Sequence, residues 1–502
     1  MLKFNKKIAF PSILSRSMTG HGHGHGLRPP KGSRRPWLIA GLTTAVVVTS
    51  FLCLPHPAPR LREVVISDDQ LRAMVSASRL PPTTVHAITS PADLGRELFR
   101  AEGLSSRPGR TCSTCHTEGR SNDHARPDQD RTSGSSMAAV PRLTHLDLGG
   151  WYGNDGRSDS LAAACLAALE EAQVMGGSRL GVLAQVQLHF RPLYEQAFGA
   201  WPTQLIGLAG SGRPAGTELK LPINIAAQGL ATLGFYPLLN EILEQGRLEH
   251  TTPAVEFSRR AFAANPVPPA WVSAFAALSP EQQAATNQAY ARVGQALAAY
   301  LAGLTGDDSP YDRFAARLLQ GRSPSDALGE GFGASELIGL KLFTGPGQCA
   351  HCHSGPRFSD GMFHNIGLPQ HGTAIAAGRA AGLQVALADP FNCKGAFLAQ
   401  AAANATPACK ELQTTTASVG QVSDLGAFKT PSLRNVARSS HYMHDGRFTS
   451  LTEVMRFFNA ANATPAIGVR DALVQPIGFT TEEMEAVVAF LGSLSAPVRD
   501  LN

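Results

Sequence analysis

The sequence predicts an all-α body made of two related helical domains joined by long loops. Alanine-rich stretches at 160–175, 180–199, 279–304 and 482–495 carry apolar residues at helical spacing, and strand-like runs are scarce. An internal repeat adds the pairing. Leu94-Gly95-Arg96-Glu97-Leu98-Phe99 stands ahead of a T-C-S-T-C-H run, and Ile338-Gly339-Leu340-Lys341-Leu342-Phe343 stands ahead of Q-C-A-H-C-H. One helix-then-motif unit occurs twice, as two related domains would require.

Length and composition bound the rest. At roughly 150 residues per domain, a chain of 502 residues suits two or three folded units. A hydrophobic share of 43% against a charged share of 17% allows a sizeable core and argues against a disordered chain. The formal net charge is +5, yet residues 1–36 hold eight Lys/Arg and no acid, which leaves −3 on the remainder. A basic tail on a slightly acidic body argues against nucleic-acid binding.

In chain order, residues 1–36 read as a basic cytoplasmic tail and residues 37–54 as an uncharged apolar segment. A helix that spans a bilayer needs about 20 apolar residues, so 37–54 is a transmembrane anchor or a signal segment with its basic flank inside. Pro55, Pro57 and Pro59 crowd the zone where a signal would be cut, which favours an anchor in the inner membrane and a periplasmic body. Residues 55–87 read as a linker. The first domain is expected over 88–325, with a Gly/Pro-rich insertion at 200–221 and a further connection at 251–270. The second is expected over 326–495.

Both repeated motifs are C-x-x-C-H: Cys112-Ser113-Thr114-Cys115-His116 and Cys349-Ala350-His351-Cys352-His353. On one turn of helix two thiols reach the two vinyl groups of a haem, and the adjacent imidazole ligates its iron. A thiol–disulfide pair or a zinc site of four thiolates would also use C-x-x-C, but neither requires a His directly after both. Two covalently bound c-type haems are therefore expected on Cys112, Cys115, Cys349 and Cys352, with His116 and His353 on the irons. Cys393 and Cys409 lie far from either motif and are expected to form a disulfide closing a long surface loop. Cys165 reads as a small core residue.

Further passages accompany the two motifs: Asp155-Gly156-Arg157 with Ser160-Leu161, Asp308-Ser309-Pro310-Tyr311-Asp312-Arg313-Phe314, Phe428-Lys429-Thr430-Pro431, the T-P-S-L-R-N-V run from Thr430, and Tyr442-Met443-His444-Asp445-Gly446 with Leu451. In this order, from about residue 91 to 490, the chain resembles the bacterial dihaem cytochrome c peroxidases and their MauG-like relatives. The resemblance implies two cytochrome c-like haem domains. It makes His116 the proximal ligand of a haem that reacts with hydrogen peroxide. His353 becomes that of a haem receiving electrons from a small donor protein, a cytochrome c or a cupredoxin. The implied function is peroxide reduction by an oxidoreductase. A two-haem electron-transfer protein without catalysis, or MauG-like oxidation of a partner protein, are the alternatives.

The distal positions depart from the family's pattern. Its glutamine falls on Ala164, its glutamate on Val174, and its inter-haem tryptophan on Asn154, with Trp151 three residues earlier. Peroxide cleavage needs a group that moves a proton between the two oxygens, and valine cannot do so. Glu171 and Gln173 are the candidates to replace it, with Glu170 and His124 as further options. The family's sixth ligand for the second iron falls on Phe458, so Met455 and Met443 are candidates for that place. Calcium between the domains is implied as well. Its asparagine falls on Ala139 and its carbonyl positions on Ser439 and His441.

Overall fold

The computed structural model describes residues 64–81, 90–105, 109–116, 141–171, 174–206, 275–306, 308–369, 371, 377–398, 406–415 and 422–499. The chain divides into Met1–Ala58 and Pro59–Asn502, and every described residue lies in the second unit. The tail, the 37–54 segment, Gln173, His124, Ala139 and most of the two Gly/Pro-rich connections lie outside the described residues. Among the described residues no helix is long and apolar enough to cross a membrane.

Part of the expected linker is a helix, which corrects the reading of 55–87. Helix α1 (Asp68–Ala77) opens on a capping box in which Ser67 Oγ accepts from Gln70 N and Gln70 Oε1 accepts from Ser67 N. Its Leu71 and Val75 are fully buried. Arg72 donates to Leu318 O at the end of α8 (Pro310–Leu319), in the second half of the chain.

The first half comprises α2 (Ser90–Arg100), α3 (Cys112–Cys115), α4 (Leu161–Glu170), α5 (Arg179–Gln185), α6 (Arg191–Phe198) and the long α7 (Pro280–Ala302). A π turn at Val186–Phe190 runs α5 into α6. The second half adds α9 (Ala334–Thr344), α10 (Arg379–Ala388), α11 (Pro407–Thr414), α12 (Leu451–Ala460) and α13 (Thr481–Ser493). The body is mainly helical, and the all-α expectation needs one amendment. Two antiparallel ladders of two residues per strand pair β1 (Thr305–Gly306) with β4 (Val498–Arg499), and β2 (Phe363–His364) with β3 (Phe428–Lys429).

The helix ahead of each motif crosses the last long helix of its half in the same manner. A Cβ on Gly95 of α2 would stand 2.0 Å from Ala296 O of α7, and one on Gly339 of α9 would stand 1.9 Å from Ala486 O of α13. Only glycine admits backbones that close. Separate apolar cores surround the two crossings: Leu94, Leu98, Leu166 and Tyr290 belong to one, and Tyr311, Phe343, Met455 and Phe490 to the other.

The helix expected at 160–175 stops at Glu170. The Glu171 carbonyl accepts from Val174 N and Gly176 N, both at 2.9 Å, and turns the chain away. Cys393 and Cys409 are bonded, as expected, but they are buried rather than at the surface. The bond ties the segment after α10 to α11, and these two helices form a third small core with Trp151 and Leu383.

Candidate haem-binding sites

The first motif is held rigid by its surroundings. Thr111 caps α3, with its Oγ1 accepting from Thr114 N at 3.2 Å and the Thr114 Oγ1 accepting from Thr111 N at 3.3 Å. Arg110 Nη1 donates to Val174 O at 2.8 Å, and Ser105 Oγ donates to Met175 O at 2.6 Å, so the turn after α4 is tied to the loop leading into α3. His116 N donates to Cys112 O at 3.0 Å, and the imidazole lies 6.4 Å from the Phe99 ring on α2.

The second motif repeats this arrangement. His353 N donates to Cys349 O at 2.9 Å, and its ring lies 6.5 Å from Phe343 on α9. Phe99 and Phe343 are the last residues of the repeated helix units, so each helix sets one aromatic against the motif histidine. His353 Nδ1 donates to Phe358 O at 2.9 Å, and burial holds the imidazole below its usual range. A neutral ring whose Nδ1 carries the proton offers Nε2 to a metal.

The donor set fits haem better than the alternatives. Burial pushes the Cys112 and Cys349 thiols up to about 12, whereas a reactive dithiol has a lowered pKa. Among the described residues, no group of three donor atoms unites both thiols of either motif with its histidine, as a tetrahedral metal would require. Thioether attachment needs the thiols on one turn and the imidazole beside them, which is what both motifs provide.

Beside Cys352 lies a group the sequence did not disclose. His364 on β2 is gripped by Asp471 Oδ2 at 2.6 Å and Asp360 Oδ2 at 3.0 Å, and lies within reach of the Cys352 sulfur. Its bonds to Asp360 and Asp471 push the imidazole well above its usual range and favour the protonated ring. Asp471 stands far along the chain, and no local pattern joins it to His364.

A second repeat frames the two motifs. Tyr152-Gly153-Asn154-Asp155-Gly156-Arg157 and Tyr442-Met443-His444-Asp445-Gly446-Arg447 adopt the same turn, closed by Tyr152–Ser158 and Tyr442–Phe448 bridges. In each the aspartate holds the arginine, with Arg157 Nη2–Asp155 Oδ2 at 2.8 Å and Arg447 Nε–Asp445 Oδ2 at 2.8 Å. Ser160 and Ser450 then cap α4 and α12. The first turn meets the second half at a stack: the Arg379 guanidinium lies 3.9 Å from the Trp151 ring centroid and 4.2 Å from that of Phe363. Glu411 on α11 accepts from Arg379 Nη2 and from Trp151 Nε1, both at 2.7 Å.

Residues 89–212 match the family model described as di-haem cytochrome c peroxidase. Over that region the chain is similar to the dihaem peroxidases. Cytochrome-c peroxidase IdrP1 of Denitromonas iodatirespirans is 33% identical over 244 residues, covering 45% of this chain and 54% of that protein. Methylamine utilization protein MauG of Methylorubrum extorquens is 30% identical over 207 residues, covering 41% and 44%. The chain thus spans about half the length of these curated relatives.

The residues expected at the distal positions have distinct surroundings. Val174 sits in the turn that receives Arg110. Glu170 is buried in an ion pair with Arg179 at 3.0 Å. Glu171 is one-third exposed and faces Arg157 Nη1 at 3.7 Å. Asn154 O accepts from Lys429 N at 2.7 Å, and its counterpart His444 stacks on Phe428 at 3.6 Å.

Around the second motif, Met455 is buried in the core beside Leu451, at the place that Cys165 holds in the first half, while Phe458 is half-buried. Met443 adopts φ +71, where the first turn has Gly153 at φ +81. A side chain in that left-handed region carries strain. Ser439 Oγ accepts from Arg142 Nη1.

Proposed function

We propose that this chain is a c-type oxidoreductase carrying two covalently attached haems that reduces hydrogen peroxide with electrons from a small donor protein. The observation that carries the reading is the duplicated frame. Each C-x-x-C-H motif follows a glycine-crossed helix, sets its histidine against one phenylalanine and is accompanied by one Asp-Gly-Arg turn. Cys112 and Cys115 would hold one haem and Cys349 and Cys352 the other, with His116 and His353 on the irons. Bound haem supplies one-electron chemistry and a coordination place for an oxygen ligand.

The chain's own residues supply orientation and protons. Phe358 O fixes the His353 tautomer, and Phe99 and Phe343 bear on the two imidazoles. Conversion of hydrogen peroxide to two waters consumes two protons and two electrons, and cleavage needs a side chain that moves a proton from one oxygen to the other. Glu171 takes that role because it is held by Arg157 and open to solvent, whereas Glu170 is committed to Arg179. Gln173, two positions further along the sequence, is the second candidate. Met443 or Met455 would complete the second iron, and the strain at Met443 favours it. The haem body belongs in an oxidising compartment, which suits the Cys393–Cys409 bond.

Mixing purified holoprotein with stoichiometric hydrogen peroxide tests the reading. A Soret change is expected in the oxidised or half-reduced protein, with turnover in the presence of a reduced donor. A Soret band that ignores peroxide in both states would leave a two-haem electron-transfer protein instead.

A further inference from the structure

Lys429 and Arg357 both reach the Gly150-Trp151 stretch, and among the described residues neither is ion-paired with a carboxylate. Lys429, on β3, is half-buried, and its Nζ donates to Trp151 O at 2.6 Å, using one of three donors. Burial first, and then the Arg357 charge, bring its ammonium down to about 8. Arg357 follows the second motif, and its carbonyl is fixed by Leu433 N and Ser432 Oγ. Its guanidinium points to the first half, with Nη2 3.6 Å from where a Cβ of Gly150 would stand.

The neighbouring acids answer these charges only through space: Asp155 acts on Lys429 and Asp147 on Arg357, and neither forms an ion pair with them. Asp155 gives both carboxylate oxygens to Arg157. Asp147 is exposed, and among the described residues Arg357 makes no ion pair. The Tyr152 hydroxyl, beside both cations, donates to Leu146 O at 2.8 Å. Like charges held partly out of water are costly unless an anion joins them.

The two cations sit on the seam between the halves that carry the C-x-x-C-H motifs, and a haem brings two carboxylates of its own. We infer that Arg357 and Lys429 together seat a propionate carboxylate of a bound haem at that seam. A guanidinium matches a carboxylate as a planar fork, and an ammonium adds a point charge beside it. The inference rests on the two-haem reading above.

The test compares wild-type holoprotein with R357Q, K429Q, the double variant and K429R. Haem content comes from the pyridine haemochrome spectrum, and both midpoint potentials come from spectroelectrochemistry across the neutral pH range. A cation beside a propionate keeps that carboxylate ionised and disfavours the more positive oxidised iron. Removing one cation should therefore lower the potential of at least one haem. Below about pH 7, where Lys429 stays charged in the wild type, the variant's potential should also fall as pH rises because the propionate now titrates there, and K429R should restore the wild-type potential.

Unchanged potentials in the double variant, with both haems present, would overturn the seat. Wild-type potentials that follow added inorganic phosphate would do the same, by showing a free anion in its place. If the double variant does not fold, the single variants decide by the same criterion. Wild-type protein without two haems per chain would instead overturn the two-haem reading itself.

Discussion

Glu170 and Glu171 are adjacent in sequence and opposite in surroundings, and the difference assigns their work. Glu170 is buried, and its carboxylate is raised by desolvation while Arg179 opposes the rise. Arg179 is in turn packed over Tyr290 and Phe391. Removing one partner of such a pair leaves a buried charge unanswered, at a cost of about 3–5 kcal/mol. Glu170→Gln should therefore lower stability, seen as a shifted denaturation midpoint, and affect turnover only through folding. Glu171→Gln should leave that midpoint in place and reduce peroxide turnover by about 10²-fold or more, the usual worth of a positioned proton carrier. Equal turnover in wild type and Glu171→Gln would remove Glu171 from the mechanism. Sequence alone cannot show that Glu170 is committed to Arg179 while Glu171 faces Arg157, because both partners depend on the turn at Glu171.

At the scale of elements, what was legible followed local pattern, and what was missed depended on remote partners. The helix-then-motif units, the long α7 and the closing α13 announce themselves by periodicity and repetition. The α1 helix was also readable from its Ser67-to-Gln70 capping box, but the prolines before it gave the whole stretch the look of a tether. The grip of Asp360 and Asp471 on His364 could not be read, since no spacing rule joins those residues. The clearest element-level test is the helix crossing. In Gly339→Ala the new methyl would meet the Ala486 carbonyl, a backbone atom that cannot swing aside. Overpacking of this kind costs about 1–3 kcal/mol, and α9 also carries the Phe343 that bears on His353. The variant should show a lower denaturation midpoint together with reduced haem content at the second motif. Gly95→Ala should do the same at the first. Wild-type stability and full haem content in both variants would show that the crossing does not position the motifs.

For the whole molecule, the question is what makes two similar halves behave as one body. The stack of Trp151, Arg379 and Phe363 is the best-defined junction, because it joins a turn of the first half to α10, β2 and α11 of the second. Arg379 is 2% exposed and is held by Gly156 O at 3.0 Å as well as by Glu411. A Cβ on Gly156 would stand 2.3 Å from the Phe363 ring, so the first turn can approach only as glycine. The Cys393–Cys409 bond fixes α11, which carries Glu411 two residues after Cys409.

The arginine therefore combines three attachments that a lysine cannot reproduce, since an ammonium has neither the planar face nor the fork. Arg379→Ala should cost about 3 kcal/mol, near the lower end for a broken buried pair because Glu411 is half-exposed and can turn to water. Arg379→Lys should recover only part of that loss. Denaturant unfolding followed by tryptophan fluorescence and by the Soret band would measure both effects. If the stack couples the halves, wild-type protein should give coincident transitions by the two probes, and Arg379→Ala should separate them. Coincident and unshifted transitions in the alanine variant would mean that the halves are joined elsewhere, with the β1–β4 ladder as the next junction to cut.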